Sequence, residues 1–242
     1  MQTVEQKETV KKLIETKDRI EKLSLIREII FGTQDGLLTT LGIISSIAGA
    51  FSDNMTVIVA GIANSLAGAF SMGTGAYLSS KAERQVHESE MRLEKRSIST
   101  HFEEEKQELK ILFEIEKVDA KNAALITSKI AESPKSFFIT MVQKEFGIEP
   151  HSPSSAVRDA LYMGFSYLLA SVIPLFPYFI LPTEEAITVS IFMTLTALFI
   201  LGILKARYAR LKWWKAGLEI AFIGLLSGVG GYVLGDYLPR LF

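Results

Sequence analysis

A carboxylate set inside an apolar run is the first feature of this chain that could do chemistry. Asp35 follows Ile29, Ile30 and Phe31 and is followed by a long apolar stretch that begins at Leu37 and Leu38. An ionisable side chain in hydrocarbon is costly, so its default reading is functional. The alternative is an interfacial position or a structural pairing with Gln34 or Thr39. Glu28 lies seven residues earlier, two helical turns along the same face, so the two acids could form successive stations for a cation. Met72, in Ala69-Phe70-Ser71-Met72-Gly73, offers a thioether. In an apolar helix methionine usually only packs, and an isolated thioether binds hard cations poorly.

A second set of donors lies further along. Glu105 and Glu108 are spaced i, i+3, and Met141 and Glu145 i, i+4, so each pair shares a helix face and could chelate. Glu94 and His101 are seven apart, with Ser97 between them on the same stripe and Glu90 one turn earlier. Charge runs of this kind are more often a solvated face, which suits Glu103, Glu104 and Glu114. Asp119, in Asp-Ala-Lys-Asn before an apolar-periodic run, reads as a helix N-cap. With no cysteine in the chain, thiolate sites and disulfides are excluded, so any metal must be held by oxygen, nitrogen or thioether sulfur.

These donors need elements to position them, and hydropathy supplies the frame. Five stretches reach the roughly 20 apolar residues that a bilayer core requires: 29–51, 56–80, 157–181, 186–204 and 216–238. The links at 52–55 and 182–185 lack basic residues, whereas Lys205, Arg207, Arg210, Lys212 and Lys215 crowd the link at 205–215. By the positive-inside rule that link, the N-terminal segment and the stretch 81–156 are expected to be cytoplasmic, and the C-terminus external. Trp213 and Trp214 beside those cations suit interfacial anchors. Pro174 and Pro177 should kink the third span near its outer end.

The expected fold is therefore an all-α membrane protein, with five transmembrane helices and a three-helix cytoplasmic insert between the second and third. Its parts are an amphipathic N-terminal helix (1–28), spans one and two (29–80), a helical insert that is the candidate metal-binding domain (81–156) and spans three to five (157–242). Breaks are expected at Val118-Asp119 and Ser133-Pro134, and the insert should end at Gly147 and Pro150. Its first helix is expected to continue the second span past Lys81.

Composition agrees with two environments in one chain of 242 residues. It is 48% hydrophobic yet 22% charged, and the charge is segregated: residues 31–80 hold only Asp35 and Asp53 as acids and no Lys or Arg. A net charge of -1 gives no electrostatic case for nucleic acid, which needs clustered cations in excess. The charged first thirty residues do not form the short apolar core of a secretory signal.

The run Ile29-Ile30-Phe31-Gly32-Thr33-Gln34-Asp35-Gly36-Leu37, with Gly61 to Gly73 and Tyr77-Leu78-Ser79-Ser80-Lys81-Ala82-Glu83, resembles the vacuolar iron transporter family. The similarity extends to Met141-Val142-Gln143-Lys144-Glu145-Phe146-Gly147 and Val172 to Tyr178. It implies a homodimeric five-span exporter of Fe²⁺ from cytosol in exchange for protons, with Mn²⁺, Zn²⁺ and Co²⁺ as further candidates and no prosthetic group. By the resemblance, Asp35 and Met72 form the intramembrane metal station, with Glu28 at its cytoplasmic mouth. Glu94, Glu105, Glu108, Met141 and Glu145 become the ligands of the insert. Two positions depart from the pattern: Ser97 stands where relatives place a further Glu, and Asn64 where plant members have Glu. The short chain favours a prokaryotic cell membrane over a vacuolar one.

Two other classes compete with transport by antiport. A membrane-tethered ferritin-like di-iron oxidase would use Glu-x-x-His, but the residues three before His87, His101 and His151 are Arg84, Ile98 and Ile148. A metal-independent scaffold would leave Asp35 without a role. Within the transport class, a passive channel is the other possibility.

Overall fold

The computed structural model describes residues 4–148 and 155–241, and among these it is all-helical: α1 (Val4–Ala50), α2 (Asn54–Thr100), α3 (Phe102–Ile115), α4 (Ala120–Ala131), α5 (Pro134–Glu145), α6 (Ala156–Leu175), α7 (Thr183–Ala209) and α8 (Trp213–Tyr237). A 3₁₀ turn, Phe176–Phe179, follows α6. The chain divides into two compact units, Met1–Leu78 with Ser155–Phe242, and Ser79–Ser154. The helix α2 runs unbroken from one into the other, as the lack of a breaker at Lys81 predicts.

In the first unit, α2, α6 with its 3₁₀ extension, α7 and α8 are long and apolar enough to cross a membrane. The expected first span does not meet that standard, although α1 is helical through it as far as Ala50. Gln34, Asp35 and the hydroxyl residues from Thr39 to Ser46 lower its apolarity. The helix α1 instead packs on α6, α8 and α7, so neighbouring helices cover much of its surface. Leu37, Ala170, Leu198 and Ile220 form one buried cluster that joins α1, α6, α7 and α8. Ile44, Val57, Leu175, Tyr178 and Ala186 form another that also draws in α2.

The end of this unit that carries the links at 52–55 and 182–185 is fixed by side-chain hydrogen bonds. Asp53 opens α2, accepting from the Thr56 amide at 2.9 Å and the Thr56 hydroxyl at 2.7 Å. The Asn54 amide donates to the Tyr178 and Leu181 carbonyls at 2.8 and 2.6 Å, and the Thr183 hydroxyl donates to Asn54. These bonds satisfy backbone groups freed where the prolines interrupt the helix. Pro174 stays inside α6, and the change to 3₁₀ comes at Phe176.

The second unit contains the end of α2 and then α3, α4 and α5. The breaks expected at Asp119 and Ser133-Pro134 are present. Asp119 caps α4 by accepting from the Lys121 and Asn122 amides, and Ser133 caps α5 with Pro134 in its first turn. Gly147 follows α5 at φ 66, a left-handed conformation that glycine adopts without strain; Pro150 lies outside the described residues. The expectation of three helices missed one break. His101 leaves the helical region at φ -133 and ψ 40, dividing the first insert helix into the end of α2 and α3. Neither Gly nor Pro marks the spot; the Ser-Thr-His run supplies it, with the Thr100 hydroxyl 2.8 Å from His101 Nδ1. Leu109, Phe137 and Met141 are completely buried and form the unit's core with Ile98, Phe113 and Ile130 around them.

Candidate metal sites

Two donor sets lie in separate units, and each is built by its own helices. In the first unit Glu28 and Asp35 are both on α1, about 10 Å apart along the axis at 1.5 Å per residue. Glu28 is buried and paired with the exposed Arg27 guanidinium at 2.7 Å, so its charge is already balanced by a neighbour. Asp35 is half-buried. The Thr39 hydroxyl, one turn on, donates to the Asp35 backbone carbonyl rather than to its carboxylate. The pairing considered as an alternative role for Asp35 therefore uses its main chain and leaves the side chain free of Thr39.

Two glycines flank Asp35 where α1 meets α6. A Cβ on Gly32 would collide with the Ser166 hydroxyl and the Met163 carbonyl, and one on Gly36 with the Tyr167 carbonyl. The backbones of α1 and α6 thus touch on both sides of Asp35, the close approach that small residues allow in lipid. Met72 is half-buried on α2. Next to it, a Cβ on Gly73 would stand 3.2 Å from the Ala160 carbonyl oxygen.

Tyr167 is a residue that sequence reasoning missed. It is 1% exposed, its backbone abuts Gly36 on α1, and its phenol ring abuts Gly68 on α2. One α6 residue therefore sets both helices that carry Asp35 and Met72. A large aromatic in mid-span opposite Gly-rich helices was the available signal. Asn64, one of the two departures, donates its amide to the Thr40 hydroxyl at 3.3 Å. A neutral amide fits there without any counter-charge.

The second unit gathers carboxylates. Glu94 on α2 and Glu105 on α3 are buried, while Glu108 on α3 and Glu145 on α5 are exposed at their side. Glu94 is pushed up to about 7 by burial first, and then by the charges of Glu105, Glu145 and Glu108. It also shares a side-chain hydrogen bond with Glu145, which raises Glu94 and lowers Glu145. That sign pair means Glu94 keeps the proton and donates it. Glu145 is nevertheless raised on balance, by burial and by Glu108 and Glu105. Glu94 Oε1 is buried with no protein partner. The Ser97 hydroxyl, the other departure, donates to Glu105 Oε1.

Met141 belongs to the core cluster with Leu109 and Phe137, so packing alone accounts for its burial. His101 is exposed, outside the buried pair Glu94 and Glu105. Among the described residues, no three His, Cys, Asp or Glu side chains converge closely enough to hold one ion as they stand. The four glutamates are near enough to repel and to share protons. An ion would need their side chains to turn toward it.

Helices of this length and apolarity, with acids built into their body, define an integral membrane protein. The family model described as VIT family matches residues 26–236, and the chain belongs to that family. It is 31% identical over 211 residues to a vacuolar iron transporter 1 of Arabidopsis thaliana, covering 87% of this chain and 84% of that protein. A vacuolar iron transporter of Centaurea cyanus is 31% identical over 208 residues, covering 86% and 85%. One from Plasmodium falciparum (isolate 3D7) is 30% identical over 229 residues, covering 89% and 82%. The chain is thus a transporter rather than an enzyme, and the oxidase alternative falls.

Proposed function

We propose that this protein exports Fe²⁺, and related divalent transition ions, from the cytosol in exchange for protons. The observation that carries the reading is the buried Glu94, with three further glutamates that push its proton affinity up, in a chain whose relatives are named iron transporters. Carboxylate oxygens suit Fe²⁺ and Mn²⁺, and the thioethers of Met72 and Met141 add preference for softer ions over Mg²⁺ or Ca²⁺. A metal ion competes with the proton for the same oxygen, so loading Glu94 and Glu145 releases protons. Glu105 and Glu108 complete the collecting set, with Met141 reaching it by a rotamer change.

Glu28 and Asp35 then serve as successive stations along α1, with Met72 as a second ligand at the Asp35 level. Several weak sites let an ion leave as well as enter. In this reading α1 is the first of five spans, its polar face covered by neighbouring helices, and the basic link at 205–215 faces the cytosol. Two copies form the working unit, through lipid-facing helix surfaces. The membrane is a prokaryotic cell membrane, or a vacuolar one in a eukaryote.

Fe²⁺ flux into proteoliposomes, measured with and without an imposed pH difference, tests the proposal. Exchange predicts uptake that rises with the gradient and proton movement coupled to it. Uptake indifferent to pH would make the protein a channel, and no uptake a scaffold; either result refutes the antiport reading.

A further inference from the structure

The turn between α7 and α8 carries charge for which the metal chemistry has no use. Lys205 and Arg207 end α7, Arg210 and Lys212 form the turn, and Lys215 begins α8, with no acidic residue from Ala186 to Leu218. All five cations are exposed, and among the described residues no carboxylate pairs with them. Lys215 instead lies over the Trp214 ring, 5.5 Å from its centroid.

Packing concentrates these charges beyond what their sequence spacing requires. A Cβ on Gly202 would stand 2.6 Å from the Ala216 carbonyl oxygen and from Gly217 Cα, so α7 and α8 touch backbone to backbone just below the turn. Arg210, at φ 54 and ψ 35, ends α7 in the left-handed conformation that reverses the chain. The five cations therefore ring one end of a tight helix pair, a patch about two helix diameters across, on the order of 20 Å. Tyr208, Leu211, Trp213 and Trp214 are exposed among them. Both helices are long and apolar enough to cross a membrane, so this end lies at a bilayer surface.

We propose that the α7–α8 turn is a docking surface for the headgroups of anionic phospholipids in the surrounding bilayer. Arg210, Lys212 and Lys215 take the phosphate oxygens, while Leu211, Trp213 and Trp214 lie against the glycerol and upper acyl chains. Interleaved aromatics favour a lipid over a water-soluble acidic partner, since indole rings settle where one side is apolar and the other wet. One basic residue near an anionic surface is worth about fivefold in association.

The test uses the full-length protein in phosphatidylcholine vesicles with spin-labelled phosphatidylglycerol or spin-labelled phosphatidylcholine as the probe. The motionally restricted fraction should favour the anionic probe by at least about fivefold, which one engaged cation alone would give, and should fall with added salt. Arg210→Gln/Lys212→Gln/Lys215→Gln should bring the ratio near parity, whereas the charge-preserving Lys212→Arg/Lys215→Arg and the distant Lys129→Gln should retain it. The proposal is overturned by no preference in the native protein or by an equal preference in the triple Gln variant. It is also overturned if inorganic phosphate displaces the labelled lipid where chloride of the same ionic strength does not, since the site would then bind free anions. An acidic protein partner predicts the first of these results.

Discussion

Replacing Glu94 by Gln should remove most of the pH dependence of metal binding. Burial and three neighbouring carboxylates hold this group near pH 7, so in the native protein it is about nine-tenths protonated at pH 6 and about one-tenth at pH 8. An ion that binds its ionised form must displace that proton, and apparent affinity therefore changes about tenfold across the interval. Glutamine keeps the shape and cannot ionise. Affinity at pH 8 should drop, because a ligand oxygen with charge is lost, and the change from pH 6 to pH 8 should be smaller than in the native protein, with Glu145 carrying what remains. Mn²⁺ titrations of the full-length protein in detergent, followed by electron paramagnetic resonance, read both quantities. Equal slopes in the native protein and Glu94→Gln would refute the assignment of this proton to Glu94.

The same residue makes a stability prediction with a definite sign. An acid whose folded value is raised binds more protons folded than unfolded, so its contribution is present at low pH and lost as pH rises from about 4.5 to about 7. Glu94→Gln should therefore raise thermal stability at pH 8, by up to about 3 kcal/mol, and leave it nearly unchanged at pH 5; a gain of the same size at both would show that charge is not the cause. Ser97→Ala leaves the buried Glu105 without its donor and should cost about 1–3 kcal/mol in unfolding measurements, with Ser97→Thr restoring it. Gly36→Leu drives a side chain into the Tyr167 backbone and should abolish transport, while an equally large change at the open position Gly75 should be tolerated in the same flux assay.

Legibility in the sequence followed the physics of each feature. Apolar length and charge asymmetry mark α2, α6, α7 and α8 within a few residues, because hydrocarbon demands long uninterrupted runs. The first span was harder: Gln34 and Asp35 lower its apolarity for the very reason that they interest us, and its cover comes from α6 and α8, which no local pattern reveals. The cap at Asp119 and the break at Ser133-Pro134 were readable, since a single side chain or a proline makes each of them. The break at His101 was not, because a Ser-Thr-His run is compatible with helix and, unlike Gly or Pro, does not by itself demand a break. Among the donors, i, i+3 and i, i+4 spacings identify pairs on one helix but not which helices meet. That Glu94, from α2, lies beside Glu105 and Glu145, from α3 and α5, is a tertiary fact. So is the burial of Met141 with Leu109 and Phe137, and the position of Tyr167 against both Gly36 and Gly68.

The proposed crossing of the ion at Asp35 is tested by Fe²⁺ uptake driven by a pH gradient, compared in proteoliposomes of the native protein and of Asp35→Asn. Uptake should be lost in Asp35→Asn while Mn²⁺ binding at the Glu94 cluster keeps its native affinity and pH slope. Uptake at the native rate in that variant would refute a crossing at Asp35.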